Sequence, residues 1–294
     1  MESGNFHKKE YPCGICGANK TRELYEIKDF KIVKCKECGF VYVNPRIATE
    51  DLAKLYSSDY FRNQQYGYLD YEATAHLRKK NFERWYRDIK PYLFVEKGNA
   101  LDIGCASAYF LDILRNKGWK VQGIELDPSM ISLLKEKNIE TYTKTFDTFE
   151  SNEKYHLITL FDVLEHIPDI KDTFERLSSL LHPDGVIALI TPNADSFQHK
   201  LMGKRWFQIK PLEHIYYFSP STLKRAIEPN HLTLSRLLKA GQYADIGFLL
   251  NRLQQYKYNN LYKFFLFIVK LLGLKKACYY TDTGSLFAII KRTK

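Results

Sequence analysis

Cys13 and Cys16, then Cys35 and Cys38, form two C-x2-C pairs with 18 residues between them. Each pair is followed at once by glycine, Gly17 and Gly39, which permits the tight knuckle that turns two thiolates toward one point. Four sulfurs at this spacing suit a tetrahedral zinc with no open position, so the metal is expected to hold structure. A disulfide is the poorer alternative in a reducing compartment. Cys105 and Cys278 stand alone, and Cys105 is expected to pack as a small apolar residue.

A second set lies at Ala100-Leu101-Asp102-Ile103-Gly104-Cys105-Ala106-Ser107-Ala108, with a lone acid, Glu125, downstream. Asn99 to Ile103 reads as a buried strand and Tyr109 to Lys117 as a helix, joined by a turn of small residues. Such a turn lets a ligand approach the backbone. A next strand, Lys120 to Ile124, delivers Glu125, whose carboxylate can hold two ribose hydroxyls. The unit binds a nucleoside, and the loop alone does not say which. Further on, Asp162, Glu165 and His166 fall at i, i+3 and i+4. One helical turn would converge two carboxylates and an imidazole, an arrangement suited to magnesium or another hard divalent ion. His166 and His214 are both candidates for taking a proton near neutral pH.

The elements that must position these residues follow from their periodicity. Strands are expected near 99–103, 120–124, 139–143, 157–161 and 185–190, with helices between them, which argues a parallel, doubly wound sheet. The segment Pro211 to Ser219 and a strand pair at 231–238 and 283–291 would complete it. Residues 49 to 90 look helical and aromatic. From Phe197 to Lys294 there are 17 Lys and Arg against 4 Asp and Glu, whereas residues 1–196 carry 27 against 30. A basic C-terminal third suits phosphate groups on a substrate, an anionic membrane or RNA, or forms a solvated surface. Met1 to Glu10 lacks the apolar stretch of a secretory signal. No segment reaches the roughly 18 apolar residues of a membrane span. A cytoplasmic protein is expected. The apolar stretch from residue 255 to 276 would be buried, would pair two chains as a homodimer, or would touch the inner face of a membrane.

Six segments occur in order: Leu101-Asp102-Ile103-Gly104-Cys105, Ile124-Glu125, Phe161 to Ile167, Leu181-His182-Pro183-Asp184-Gly185, Thr191-Pro192-Asn193, and His214 to Ser219. Together they resemble the class I S-adenosylmethionine-dependent methyltransferases, in the subgroup that includes the ubiquinone-biosynthesis O-methyltransferases. The four-cysteine ribbon followed by Asn44-Pro45-Arg46 and Tyr60-Phe61 is similar to a zinc-ribbon-bearing branch associated with sugar and surface-glycan methylation. The resemblance implies an α/β fold: a Rossmann-like seven-stranded methyltransferase sheet with helices on both faces, after a small zinc ribbon and a helical lid. The expected boundaries are 8–47 for the ribbon, 48–90 for the helical linker or lid and 91–294 for the methyltransferase domain, with an insert at about 241–276.

The resemblance also implies roles. Gly104, Cys105 and Ala106 would pass the methionine part of the cofactor, and Asp102 would order the loop and reach its amino-acid end. Glu125, followed by Leu126, would take the ribose hydroxyls, and Thr145 and Phe146 would flank the adenine. Phe161 and Asp162 would end the fourth strand at the ligand crevice. His166 or His214 would act as base, and a divalent metal at Asp162, Glu165 and His166 would match the metal-assisted relatives, although Asp162 is shorter than the Glu expected. Ala106 and Ala108 stand where the family has glycine, with Ala108 expected to face the cofactor. His156 replaces the usual aspartate. The function implied is O-methylation of a sugar-containing or related polar small molecule or glycan. An RNA methyltransferase, disfavoured by the mixed charge of the ribbon, and a non-catalytic zinc-ribbon/methyltransferase-fold binding protein are the alternatives.

Overall fold

The computed structural model describes residues 6–51, 75–245 and 278–293, together with Lys263, Leu266, Phe267, Val269 and Leu271. The N-terminal module comprises β1 (Lys8–Lys9), β2 (Thr21–Ile27), β3 (Phe30–Cys35), β4 (Val41–Val43) and β5 (Arg46–Ile47), with β1 paired to β5. Residues 49–51 begin a helix, and most of the expected lid, 52–74, lies outside the described residues. α1 (Ala75–Ile89) packs beside the sheet, and the Asn81 side chain accepts the Tyr243 N–H at 2.6 Å.

From there strand and helix alternate: β6 (Asn99–Ile103), α2 (Tyr109–Arg115), β7 (Lys120–Ile124), α3 (Pro128–Glu136), β8 (Glu140–Tyr142), β9 (Tyr155–Phe161), α4 (Ile170–Leu180) and β10 (Leu181–Pro192). α5 (Phe197–Met202), β11 (Tyr216–Tyr217), α6 (Pro220–Ile227), β12 (Leu232–Asp245) and β13 (Cys278–Arg292) follow. Seven strands form one sheet in the order β12-β13-β10-β9-β6-β7-β8, parallel except for β13, which runs antiparallel to both neighbours. The central strands read as unbroken apolar runs because helices cover both faces. Leu157, Ile158 and Leu160 of β9 and Val186 to Leu189 of β10 are fully buried. The chain order reverses between β6 and β9, the switch point where ligands enter open sheets of this kind.

Two expectations need correction. Tyr216–Tyr217 does not join the main sheet. It pairs antiparallel with β4, so the second sheet runs β11-β4-β3-β2 and the domain lends a strand to the ribbon. The insert begins later than 241, because Gly241 to Asp245 still pair with Asp282 to Cys278. Of the expected 255–276 helix only five residues are described; Phe267 and Leu271 are exposed and Val269 is buried.

His156 ties the start of β6 to its surroundings. Its Nδ1 accepts the Asn99 N–H at 3.3 Å where β6 begins, and its ring stacks on His182 with centroids 4.2 Å apart. Burial, and then the neighbouring His182, lower its proton affinity, which keeps that acceptor available.

Candidate functional site

The ribbon sulfurs converge. Cys13 Sγ lies 3.5 Å from Cys38 Sγ, and Cys16 Sγ 3.6 Å from Cys35 Sγ. A zinc tetrahedron with ~2.3 Å bonds has edges of about 3.8 Å, so the set fits one metal. The knuckles close through Gly17 N–H to the Cys13 carbonyl at 2.8 Å and Gly39 N–H to the Cys35 carbonyl at 3.0 Å. Both glycines are left-handed, φ +73° and +78°, and a side chain at Gly17 would meet nothing within 4 Å, so conformation and not space selects glycine there.

At the switch point, β6 ends in a turn that is left-handed at Gly104 (φ +71°), Ala106 (φ +45°) and Ala108 (φ +61°). Gly104 and Cys105 both donate to the Ile124 carbonyl, which ties the turn to β7. Glu125 completes the tie: one carboxylate oxygen accepts the Ala106 N–H at 2.7 Å, and the other accepts those of Leu126 and Asp127 at 2.7 and 2.9 Å. Leu126 projects beside it, 41% exposed. Asp102 is buried and accepts the Thr159 hydroxyl at 2.6 Å. Burial, against that bond and with the Glu125 charge adding, pushes its carboxyl up to about 7.

Several expected ligand residues face inward. Ala108 is fully buried in a core cluster with Phe110 and Leu111, so its methyl packs into protein. Cys105 is buried, its sulfur filling the space where a side chain at Gly123 would stand. Phe146 is buried with Phe149 in the other core cluster, while Thr145 is exposed and bonds Thr148. The Phe161 ring joins an aromatic group with Trp85 and Phe110, each 5.0 Å away between centroids.

Beyond β9 the geometry differs from a single helical turn. Asp162 is left-handed, φ +55°, and its N–H goes to the Ile190 carbonyl at 2.9 Å, so it stands before the 3-10 turn Leu164–His166. The residues brought together are Glu165, His166 and His214, one donor atom from each lying within 4.8 Å of the others. Asp162 is not in that group: its backbone is left-handed and it stands outside the 3-10 turn. The two imidazoles meet edge to face with centroids 4.8 Å apart. His166 Nδ1 bonds the Glu213 carbonyl at 2.9 Å and His214 Nδ1 bonds the Gln208 carbonyl at 2.8 Å. A carbonyl can only accept, so each Nδ1 carries hydrogen and each Nε2 keeps a lone pair.

Burial lowers both rings' proton affinity, His166 to about 4, with the nearby Lys210 charge acting in the same direction. Glu165 is fully buried; one oxygen accepts the Thr191 hydroxyl at 3.0 Å and the other has no partner. Burial, and then Asp162, raise its carboxyl well above the usual range, and burial raises Asp162 to about 6 against the pull of Lys210. Gln208, Lys210 and Glu213 were not singled out in the sequence. Two of them act through backbone carbonyls, which residue type does not reveal.

A family described as a methyltransferase domain matches residues 75–235, more than half of the chain. Its first residue coincides with the start of α1. The ubiquinone biosynthesis O-methyltransferase of Haemophilus ducreyi is 30% identical over 105 residues, 32% of this chain and 44% of that protein. The enzyme of the same name from Bradyrhizobium diazoefficiens is 22% identical over 173 residues, 55% and 68% of the two chains. The chain thus spans about half the length of some curated relatives it matches, 44% and 47% for two of them.

Among solved structures, a 1,6-didemethyltoxoflavin-N1-methyltransferase from Burkholderia thailandensis, bound to S-adenosylhomocysteine, superposes with a TM-score of 0.53 at 12% identity, covering 94% of this chain and 100% of that one. An S-adenosylmethionine-dependent methyltransferase from Clostridium acetobutylicum gives 0.51 at 14%, covering 83% and 99%. These likenesses show the fold. With the strand order, the switch-point turn and the family match taken together, the chain belongs to the methyltransferase-domain family and has the class I S-adenosylmethionine-dependent fold.

Proposed function

We propose that this protein transfers the methyl group of S-adenosylmethionine to a hydroxyl of a sugar-containing or related polar small molecule. The observation that carries the reading is the pair of neutral imidazoles, His166 and His214, presenting free Nε2 atoms just past the C-terminal end of β9. The acceptor oxygen attacks the sulfonium methyl in line, the carbon–sulfur bond breaks with its electron pair staying on sulfur, and the hydroxyl proton passes to one Nε2. The methyl is already activated, so alignment and removal of one proton are what the protein must supply. The names of the O-methyltransferase relatives support oxygen as the acceptor atom.

The switch-point residues suit that donor. Asp102 and Glu125 place two carboxylates at the ends of β6 and β7, and Asp102 is buried with a hydroxyl as its hydrogen-bond partner. S-adenosylmethionine brings an ammonium and a sulfonium, the charges that such a site lacks. In this reading Asp102 draws the amino group, Gly104, Ala106 and the backbone of Cys105 line the methionine part, Glu125 and Leu126 flank the ribose and Thr145 lies toward the adenine. Cys13, Cys16, Cys35 and Cys38 hold a closed, structural zinc. A divalent ion in the acceptor crevice, which would acidify a bound hydroxyl, would take Glu165, His166 and His214 as ligands in place of the Asp162 set.

The test pairs calorimetric titration of S-adenosylhomocysteine with labelled S-adenosylmethionine and a panel of nucleotide sugars and phenolic acceptors. Label on a sugar hydroxyl, lost in His166→Ala or His214→Ala with cofactor affinity retained, is the expected result. Transfer to nitrogen, or to phenols alone, would overturn the substrate reading.

A further inference from the structure

The chain between β10 and β11 carries a surface that the proposed methyl transfer does not use. Ser196 caps α5 by accepting the His199 N–H at 3.1 Å, and His199 turns inward to stack on Trp206 with centroids 5.0 Å apart. Trp206 is 1% exposed, so the inner face of this short helix is anchored in the core. The outer face is apolar. Phe197 and Leu201, one turn apart, are each 72% exposed, and Met202 is 43% exposed. Among the described residues seven large hydrophobics are exposed, and three of them stand on this one turn and a half of helix. Scattered apolar side chains need no explanation, but a cluster on a fixed base marks a contact surface.

Charge says what kind of surface it meets. Lys200, Lys204 and Arg205 are exposed among the apolar tips, and from Phe197 to Lys210 the chain has four cations and no acid. A shallow depression beside the helix also brings Lys239 of β12 next to Phe197 and Lys200, with Asp195 and Asp282 on its walls. We propose that α5 and the turn at 203–205 dock this protein on an anionic lipid surface. Phe197, Leu201 and Met202 enter the headgroup region while Lys200, Lys204 and Arg205 meet lipid phosphates. An acidic protein would satisfy the cations, but protruding apolar tips ringed by cations match a bilayer interface, where both kinds of group find partners at once. The proposal rests on exposure and charge and does not depend on methyl transfer. It places membrane contact at α5, whereas the 255–276 stretch, the sequence's own candidate, lies mostly outside the described residues.

Flotation of the full chain with phosphatidylcholine vesicles, with and without phosphatidylglycerol, tests it. Wild-type protein is expected to float with the anionic vesicles only and to be released by salt. Phe197→Ser with Leu201→Ser should weaken binding about 100-fold, and Lys200→Glu with Lys204→Glu should abolish the preference for anionic lipid. S-adenosylhomocysteine affinity, unchanged in each variant, confirms folding. Phe267→Ser with Leu271→Ser should float as wild type does. The proposal is overturned if wild type does not float, if only the Phe267 and Leu271 variant fails to float, or if Phe197→Ser with Leu201→Ser only converts a dimer to a monomer in size-exclusion chromatography.

Discussion

His166 and His214 meet edge to face with centroids 4.8 Å apart, and each ring is held by a backbone carbonyl at its Nδ1. They arrive from opposite ends of a long excursion, one from the turn after β9 and the other from the loop before β11. Two rings so placed cannot both carry charge without repulsion in a buried setting, and both are pushed toward neutrality.

The first prediction concerns their tautomer. Nitrogen-detected NMR of the imidazoles should show both as neutral Nδ1–H forms at pH 6, with His166 titrating near 4. The folded proton affinity lies below the unfolded value of about 6.5. Their contribution to stability is therefore present above about 6.5 and lost as pH falls toward the folded value. An Nε2–H tautomer for either ring, or a midpoint near 6.5, would contradict the geometry.

Asp102 gives the opposite sign. Its folded carboxyl titrates at about 7, well above the ~3.9 of an unfolded aspartate. The folded state holds that proton more tightly, so this group's contribution declines as pH rises from about 4 to about 7. Asp102→Asn is expected to stabilise the protein at pH 8 by ~2 kcal/mol and to change little at pH 4. Donor binding should weaken in the same variant. Denaturant melts at the two pH values check the first part, and an equal change at both would count against it.

Ala106 and Ala108 should respond differently to glycine. Both are left-handed, φ +45° and +61°, a conformation that costs an alanine about 1 kcal/mol or more. Ala106 is only half-buried, so Ala106→Gly should stabilise by about 0.5–1 kcal/mol. Ala108 buries its methyl completely, so relief of strain in Ala108→Gly is offset by lost packing of ~1 kcal/mol. Thermal melts that rank the two the other way would show that backbone strain does not govern this loop.

Metal removal should disturb the acceptor side of the crevice and spare the donor side. Val43 N–H bonds the Ile215 carbonyl at 2.9 Å, and Ile215 N–H bonds the Glu165 carbonyl at 2.9 Å. That chain of bonds runs from the ribbon to the residue beside His214. In Cys13→Ser, or after chelation, the His166 and His214 signals should shift while S-adenosylhomocysteine affinity stays within about threefold (~0.7 kcal/mol). Loss of donor binding in step with the metal would show that the ribbon supports the whole fold.

The sequence was most legible where chemistry depends on residue type and local spacing. Cys13 to Cys38 needed no fold to be read as one cluster, and Asp102 and Glu125 fell where strand ends put them. Legibility failed where backbone conformation intervened. Asp162 leaves the helical phase because its φ is positive, so the i, i+3, i+4 rule did not apply and His214 took its place beside Glu165. Phe161 ends β9 and Phe146 opens a short 3-10 turn after β8, but packing turned their rings inward. Tyr216 and Tyr217 found their partners, Tyr42 and Val41, at the far end of the chain, a pairing that no local pattern encodes.

That last pairing has a consequence for synthesis. The ribbon's cysteines all emerge within the first 38 residues, so a metal can close the knuckles early. Its outer strand, Tyr216–Tyr217, is made much later. Until then Val41 and Tyr42 present an unpaired strand edge beside the apolar Phe40, a surface open to other chains. The nascent protein therefore carries a half-built module, with one strand edge unpaired, through most of its translation.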